Sequence, residues 1–158
     1  ETERADPPFP PHITLCPSFT GSQRRAVEVL HLVAGAVREG GAAGGIAVEF
    51  DGVSVGRTRH RAVAIEARHS AQLMQANATA ASAVGRPSRG TVGRPVYQPQ
   101  MSLVYGEFDS ATVTRLAGEA IADTDGILGT PLSFTRLAVV MTSGRDCACW
   151  YQVTEVSL

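Results

Sequence analysis

The chain has 158 residues, 44% of them hydrophobic, and a formal net charge of −1. That length fits one domain across 1–158 and lets folding bury on the order of 70% of the unfolded surface. Near-neutral charge excludes a bulk polyanion binder but not a small-anion site; no apolar run approaches the ~20 residues of a membrane-spanning helix; and all 14 basic residues are arginine, which excludes lysine chemistry.

Glu1 to Pro11 is polar and then proline-rich. Proline fixes φ and biases its predecessor to extended geometry, so this is an extended lead-in rather than a helix. His12 to Cys16 alternates as a strand that Pro17 ends. Thr20 or Ser22 can cap a helix from Arg24 to Arg38, where Val27, Leu30, Val33 or Ala34, and Val37 recur at three- and four-residue steps. His31 falls on or beside that stripe and reads as a packed or surface histidine. Glu39 to Gly45 is a glycine-rich stop without the context or the Lys-Ser/Thr end of a phosphate loop.

Ile46 to Val55 reads as a strand broken by a turn at Asp51-Gly52, and Arg57 to Arg68 as a further strand with charged ends. Arg57-x-Arg59-His60-Arg61 is the densest positive patch. It is either a solvated edge that discourages strand addition or a lip that captures a phosphate. Ser70 caps a helix to Val84, and Gly85 to Val96 is a Gly/Pro/Arg/Ser loop able to close over a substrate.

Gln100 to Tyr105 is a second strand of the same kind as the first, and Asp109 or Ser110 caps a helix to about Ala122. Leu132 to Thr142 and Trp150 to Leu158 are the last strands. Cys147-Ala-Cys149 is expected in a strand with both thiols on one face, either as free thiols of a cytoplasmic protein or as a redox pair or a bridge to Cys16. No metal-ligand spacing occurs, and no cofactor is expected.

The order of strands and helices repeats one unit twice. It predicts an α+β fold of two pseudo-symmetric halves, with antiparallel sheets facing each other, helices outside and the active site in the central cleft. Each half opens on a strand with polar side chains. In Pro11-His12-Ile13-Thr14-Leu15 and Pro99-Gln100-Met101-Ser102-Leu103, period-two alternation sets His12 with Thr14 and Gln100 with Ser102 on one face. Ile13, Leu15, Met101 and Leu103 point to the other. An imidazole, a carboxamide and two hydroxyls converging on a sheet suit an anionic oxygen cluster such as phosphate.

His12-Ile-Thr14, followed after roughly ninety residues by Pro99-x-Met-Ser-Leu-Val-Tyr105, resembles the two-histidine (2H) phosphoesterase superfamily. Within it the chain is most similar to the cyclic phosphodiesterases of plants and fungi. The resemblance covers most of the chain and implies metal-independent opening of a nucleoside 2′,3′-cyclic phosphate or ADP-ribose 1″,2″-cyclic phosphate. It implies His12 as a proton carrier, Thr14 and Ser102 as phosphate ligands, and Tyr105 as a contact to phosphate or ribose or a core residue. Trp150 becomes core filling or a base-stacking surface. Relatives carry an additional strand and helix ahead of their first motif, and none is expected here.

The departure is Gln100, where the family pattern has its second histidine. A carboxamide donates and accepts hydrogen bonds but carries no proton at neutral pH. Gln100 is then an introduced replacement that keeps substrate uncleaved, a native residue of a binder without turnover, or a residue compensated by another group such as His60 or His69. The competing function is a non-catalytic binder of cyclic or terminal phosphates on nucleotides or RNA ends.

Overall fold

The computed structural model describes residues 4–5, 9–17, 19–41, 44–86, 97–144 and 147–158. The order is β1 (Arg4–Ala5), α1 (Gln23–Glu39), β2 (Ile46–Val48), β3 (Phe50–Thr58), β4 (Arg61–Ala67), α2 (Ala71–Ala83), β5 (Gln100–Val104), β6 (Gly106–Glu107), α3 (Ser110–Thr124), β7 (Leu132–Phe134), β8 (Arg136–Met141) and β9 (Tyr151–Ser157). It is an α+β fold in which every pairing between named strands is antiparallel. Of the loop expected over 85–96, residues 87–96 lie outside the described residues.

All three helices begin where a polar side chain satisfies a first-turn donor. Ser22 accepts from the Arg25 amide, Ser70 from the Leu73 amide and Asp109 from the Thr112 amide. Val29, Leu30, Val33, Ala34 and Val37 form the buried stripe of α1, and His31 stands exposed beside it. That stripe meets the small face of α2, Ala76 and Ala80, and the strands carrying Ile46, Val48, Phe50 and Ile65. Phe50 and Ile65 are fully buried, worth roughly 1.5–3 kcal/mol each in apolar transfer. α3 covers a second cluster around Val63, Val113 and Ala120.

The central sheet runs β3-β4-β5, and β4 is buried from Ala62 to Ile65 as befits its middle position. Two two-stranded sheets, β2-β7 and β8-β9, join residues from distant parts of the chain. Ahead of the first motif, the two-residue strand β1 pairs with β6.

Several boundaries differ from expectation. The break near residue 50 falls at Glu49, where the chain leaves β7 for β4, and not at Asp51-Gly52. Asp51 is instead the extra residue of a bulge between Phe50 and Gly52, which satisfies a turn-prone dipeptide without ending the strand. Arg57 and Thr58 belong to β3, and Arg59-His60 forms the turn into β4, closed by the Thr58–Arg61 pair. Cys147–Cys149 is a 3₁₀ turn, with Cys147 buried and Cys149 exposed, so the two thiols do not share a strand face. All three cysteines are free.

Candidate active site

Ile13 and Met101 form an isolated antiparallel bridge, and both pack against the main core. Residues paired across antiparallel strands project to one face, and their chain neighbours project to the other. Carried one residue each way, an antiparallel register would set His12 across from Ser102 and Thr14 across from Gln100, on the face opposite Ile13 and Met101. The rows continue through the sheet: Ser102 lies opposite Ala64 and then Ser54, and Gln100 opposite Glu66 and then Gly52.

The first motif segment is not the regular strand its alternation predicts; its only bridge among the described residues is at Ile13. Side chains hold it instead. Buried Asn77 of α2 donates to the Leu15 carbonyl at 2.6 Å, and the Tyr97 hydroxyl donates to the Thr14 carbonyl at 2.9 Å. These two bonds do the work of a neighbouring strand. The sequence signal for Asn77 was a lone carboxamide among the small apolar residues of a helix face.

His12 is half-buried, and its Nδ1 lies 2.8 Å from the Pro10 carbonyl. A carbonyl only accepts, so Nδ1 carries the hydrogen and, in the neutral ring, Nε2 keeps its lone pair. Phe9 packs edge-on against the ring at 5.2 Å between centroids. Thr14 is exposed and Gln100 half-buried.

Ser102 Oγ donates to the His60 carbonyl at 3.0 Å. The Tyr105 phenol lies beside this hydroxyl. Burial pushes the Tyr105 phenol above its usual range, the Ser102 bond opposes this, and Cys147 adds to it. Trp150 lies at the hub of an aromatic group. Phe9, His60 and Tyr105 approach it at centroid distances of 5.4, 5.1 and 5.8 Å.

Of the two spare histidines, the fold brings His60 to the motif. His69 is exposed between β4 and α2, and no hydrogen bond or ring contact joins it to the motif among the described residues. In the arginine patch, Arg61 turns inward: it bonds Glu66 at 3.0 Å and reaches Ser54 at 3.5 Å. Among the described residues, Gln100 Oε1, Arg61 Nε and Trp150 Nε1 are buried without hydrogen-bond partners. Each such atom costs about 1–3 kcal/mol unless something bonds it. Gln100 belongs to the motif, Arg61 bonds Glu66 opposite it, and Trp150 packs on Tyr105.

A shallow groove of about 720 Å³ between α1 and α2 is lined by none of the motif residues. Its polar lining is His31, Glu39, Thr79 and Ser82, beside Leu32, Ala36 and Ala78. No group of three or more His, Cys, Asp or Glu side chains able to hold a metal occurs among the described residues. Among these residues no helix is long and apolar enough to cross a membrane.

Among curated proteins, none matches the chain. A family model described as cyclic phosphodiesterase-like protein matches residues 3–153, and the chain, with its two motif segments bridged side by side, belongs to that family of 2H phosphoesterases.

Proposed function

We propose that the chain is a single 2H domain that opens a cyclic phosphodiester, a nucleoside 2′,3′-cyclic phosphate or ADP-ribose 1″,2″-cyclic phosphate, to a phosphomonoester without a metal. Family membership supports cyclic phosphodiester hydrolysis in general. The observation that carries the reading is the Ile13–Met101 bridge, whose register gathers His12, Thr14, Gln100 and Ser102 on one face.

Water attacks phosphorus in line with the departing ribose oxygen. His12, with Nδ1–H engaged by Pro10, takes the water proton on Nε2. Thr14 and Ser102 donate to the non-bridging oxygens, Ser102 by turning its hydroxyl from the His60 carbonyl. Hydrogen bonds of this charged kind are worth roughly 1.5–3 kcal/mol each. Tyr105, kept protonated by burial, backs Ser102. Gln100 fills the second motif position as a hydrogen-bonding group, its amide opposite Glu66, whose charge Arg61 neutralises.

Hydrolysis of both cyclic phosphates, followed by ³¹P NMR, tests this reading. His12→Ala is expected to cut turnover by about 10²–10⁴. Failure of the chain and of Gln100→His either to bind or to open a cyclic phosphate would overturn it. The second reading, a binder of cyclic or terminal phosphates on nucleotides or RNA ends, is favoured by Gln100 alone. It is supported if calorimetry shows binding while no product forms.

A further inference from the structure

Hydrolysis needs a proton delivered to the leaving ribose oxygen as well as one taken from water. Gln100 delivers none. From the geometry around Ser102 we propose that His60 supplies this second proton-carrying group, an inference that rests on the function proposed above.

Two hydrogen bonds seat the His60 turn on the motif strand. The Arg59 carbonyl accepts from the Gly106 amide at 2.8 Å, and the His60 carbonyl accepts from Ser102 Oγ at 3.0 Å. Ile13 bridges Met101, and the antiparallel register extended by one residue brings His12 toward Ser102. A phosphate that takes the Ser102 hydroxyl from the His60 carbonyl thus has one imidazole across the strand pair and another on the turn, which the Gly106–Arg59 bond still holds in place. A single aromatic wall links them: His12 packs on Phe9, Phe9 on Trp150, and Trp150 on His60 at 5.1 Å. The His60 side chain is exposed, and its ring nitrogens make no hydrogen bond among the described residues. Its structural task belongs to its carbonyl, which leaves both ring nitrogens for a ligand and for proton exchange with water.

The step balances without a further reactant. The water oxygen forms the new P–O bond while His12 Nε2 takes its proton. The P–O bond to the ribose oxygen breaks, and the electron pair stays on that oxygen. The His60 imidazolium gives it a proton, and solvent returns the proton from His12 to His60. Imidazole is the side chain suited to both halves near neutral pH. The groups around His60 are Arg59 and Arg61 in its own hairpin, Ser102 and Tyr105 from the β5 side, and Trp150 ahead of β9. Glu66 is neutralised by Arg61, and buried Cys147 acts on Tyr105.

The test compares the chain with His60→Gln, Gln100→His and the double variant on both cyclic phosphates. His60→Gln is expected to lower kcat by about 10²–10⁴ with KM little changed, and to erase the alkaline limb of the pH–rate profile. The double variant is expected to recover turnover, because a histidine at position 100 makes His60 dispensable. An unchanged melting temperature separates this from unfolding, and His60→Asn serves should the first variant not fold. The proposal is overturned if His60→Gln keeps both kcat and the alkaline limb while His12→Gln abolishes turnover. In that case the proposed function stands. The proposal is also overturned if only Gln100→His turns over, an outcome that favours the binder reading of the chain itself. If neither the chain nor Gln100→His binds or opens a cyclic phosphate, the proposed function itself fails, and this inference with it.

Discussion

Ser102 Oγ and the carbonyl of His60, 42 residues apart in sequence, are joined by a 3.0 Å hydrogen bond. The bond ties the β3–β4 turn to the strand that carries the second motif. It also commits the hydroxyl hydrogen that an incoming phosphate would take, so a phosphate and the His60 carbonyl compete for one hydrogen.

Ser102→Ala removes both functions. Stability is expected to fall by about 0.5–1.5 kcal/mol, and affinity for a cyclic phosphate by roughly 10- to 150-fold. Urea unfolding and calorimetry measure the two losses separately. A variant that binds as tightly as the parent would remove Ser102 from the phosphate site.

Asn77→Ala leaves the Leu15 carbonyl without the 2.6 Å bond from α2. Losing a partner at this half-buried carbonyl costs about 1 kcal/mol, up to ~3 were it fully buried. The same change frees the segment bearing His12, so kcat should fall although Asn77 touches no substrate. Chemical denaturation checks the first effect, and turnover measured well below the unfolding midpoint checks the second.

Gly56→Ala tests the hairpin that presents His60. A Cβ at this position would come within 1.9 Å of the Arg61 carbonyl oxygen, so the two strands must part. Overpacking of this kind costs typically about 1–3 kcal/mol. Melting should drop, and the Arg59-His60 turn should lose protection from hydrogen exchange at the Gly106 amide it accepts from. Unaltered exchange at Gly106 would contradict the close approach.

Tyr105 gives the protein an alkaline signature. Burial raises its phenol above the ordinary value of 10.0, so the native state keeps a proton that the unfolded chain releases. That contribution to stability is full below about pH 10 and is lost as pH rises through the folded value. Melting temperature should therefore decline above about pH 10, and Tyr105→Phe should decline less steeply. Equal slopes for parent and variant would show that the buried phenol is not the group responsible.

Local chemistry was legible without coordinates. Capping by Ser22, Ser70 and Asp109, most of the stripe of α1, and the core-facing Met101 and Leu103 depend on near neighbours in the chain, and the fold realises them, with Val29 buried in the stripe and the expected Val27 only half-buried. The motif residues and the family they imply were readable for the same reason: their spacing is written in one dimension.

Partner choice was not. Whether Asp51-Gly52 turns or bulges depends on the opposing strand, and whether residues 12–16 form a ladder depends on Asn77 and Tyr97, far along the chain. Composition could name His60 and His69 equally as spare imidazoles. Only the hairpin, folded back so that Arg59 and His60 meet Gly106 and Ser102, separates them. Period and capping are short-range properties of the backbone, whereas the meeting of a side chain with a carbonyl 42 or more residues away is decided by packing, which no local pattern encodes.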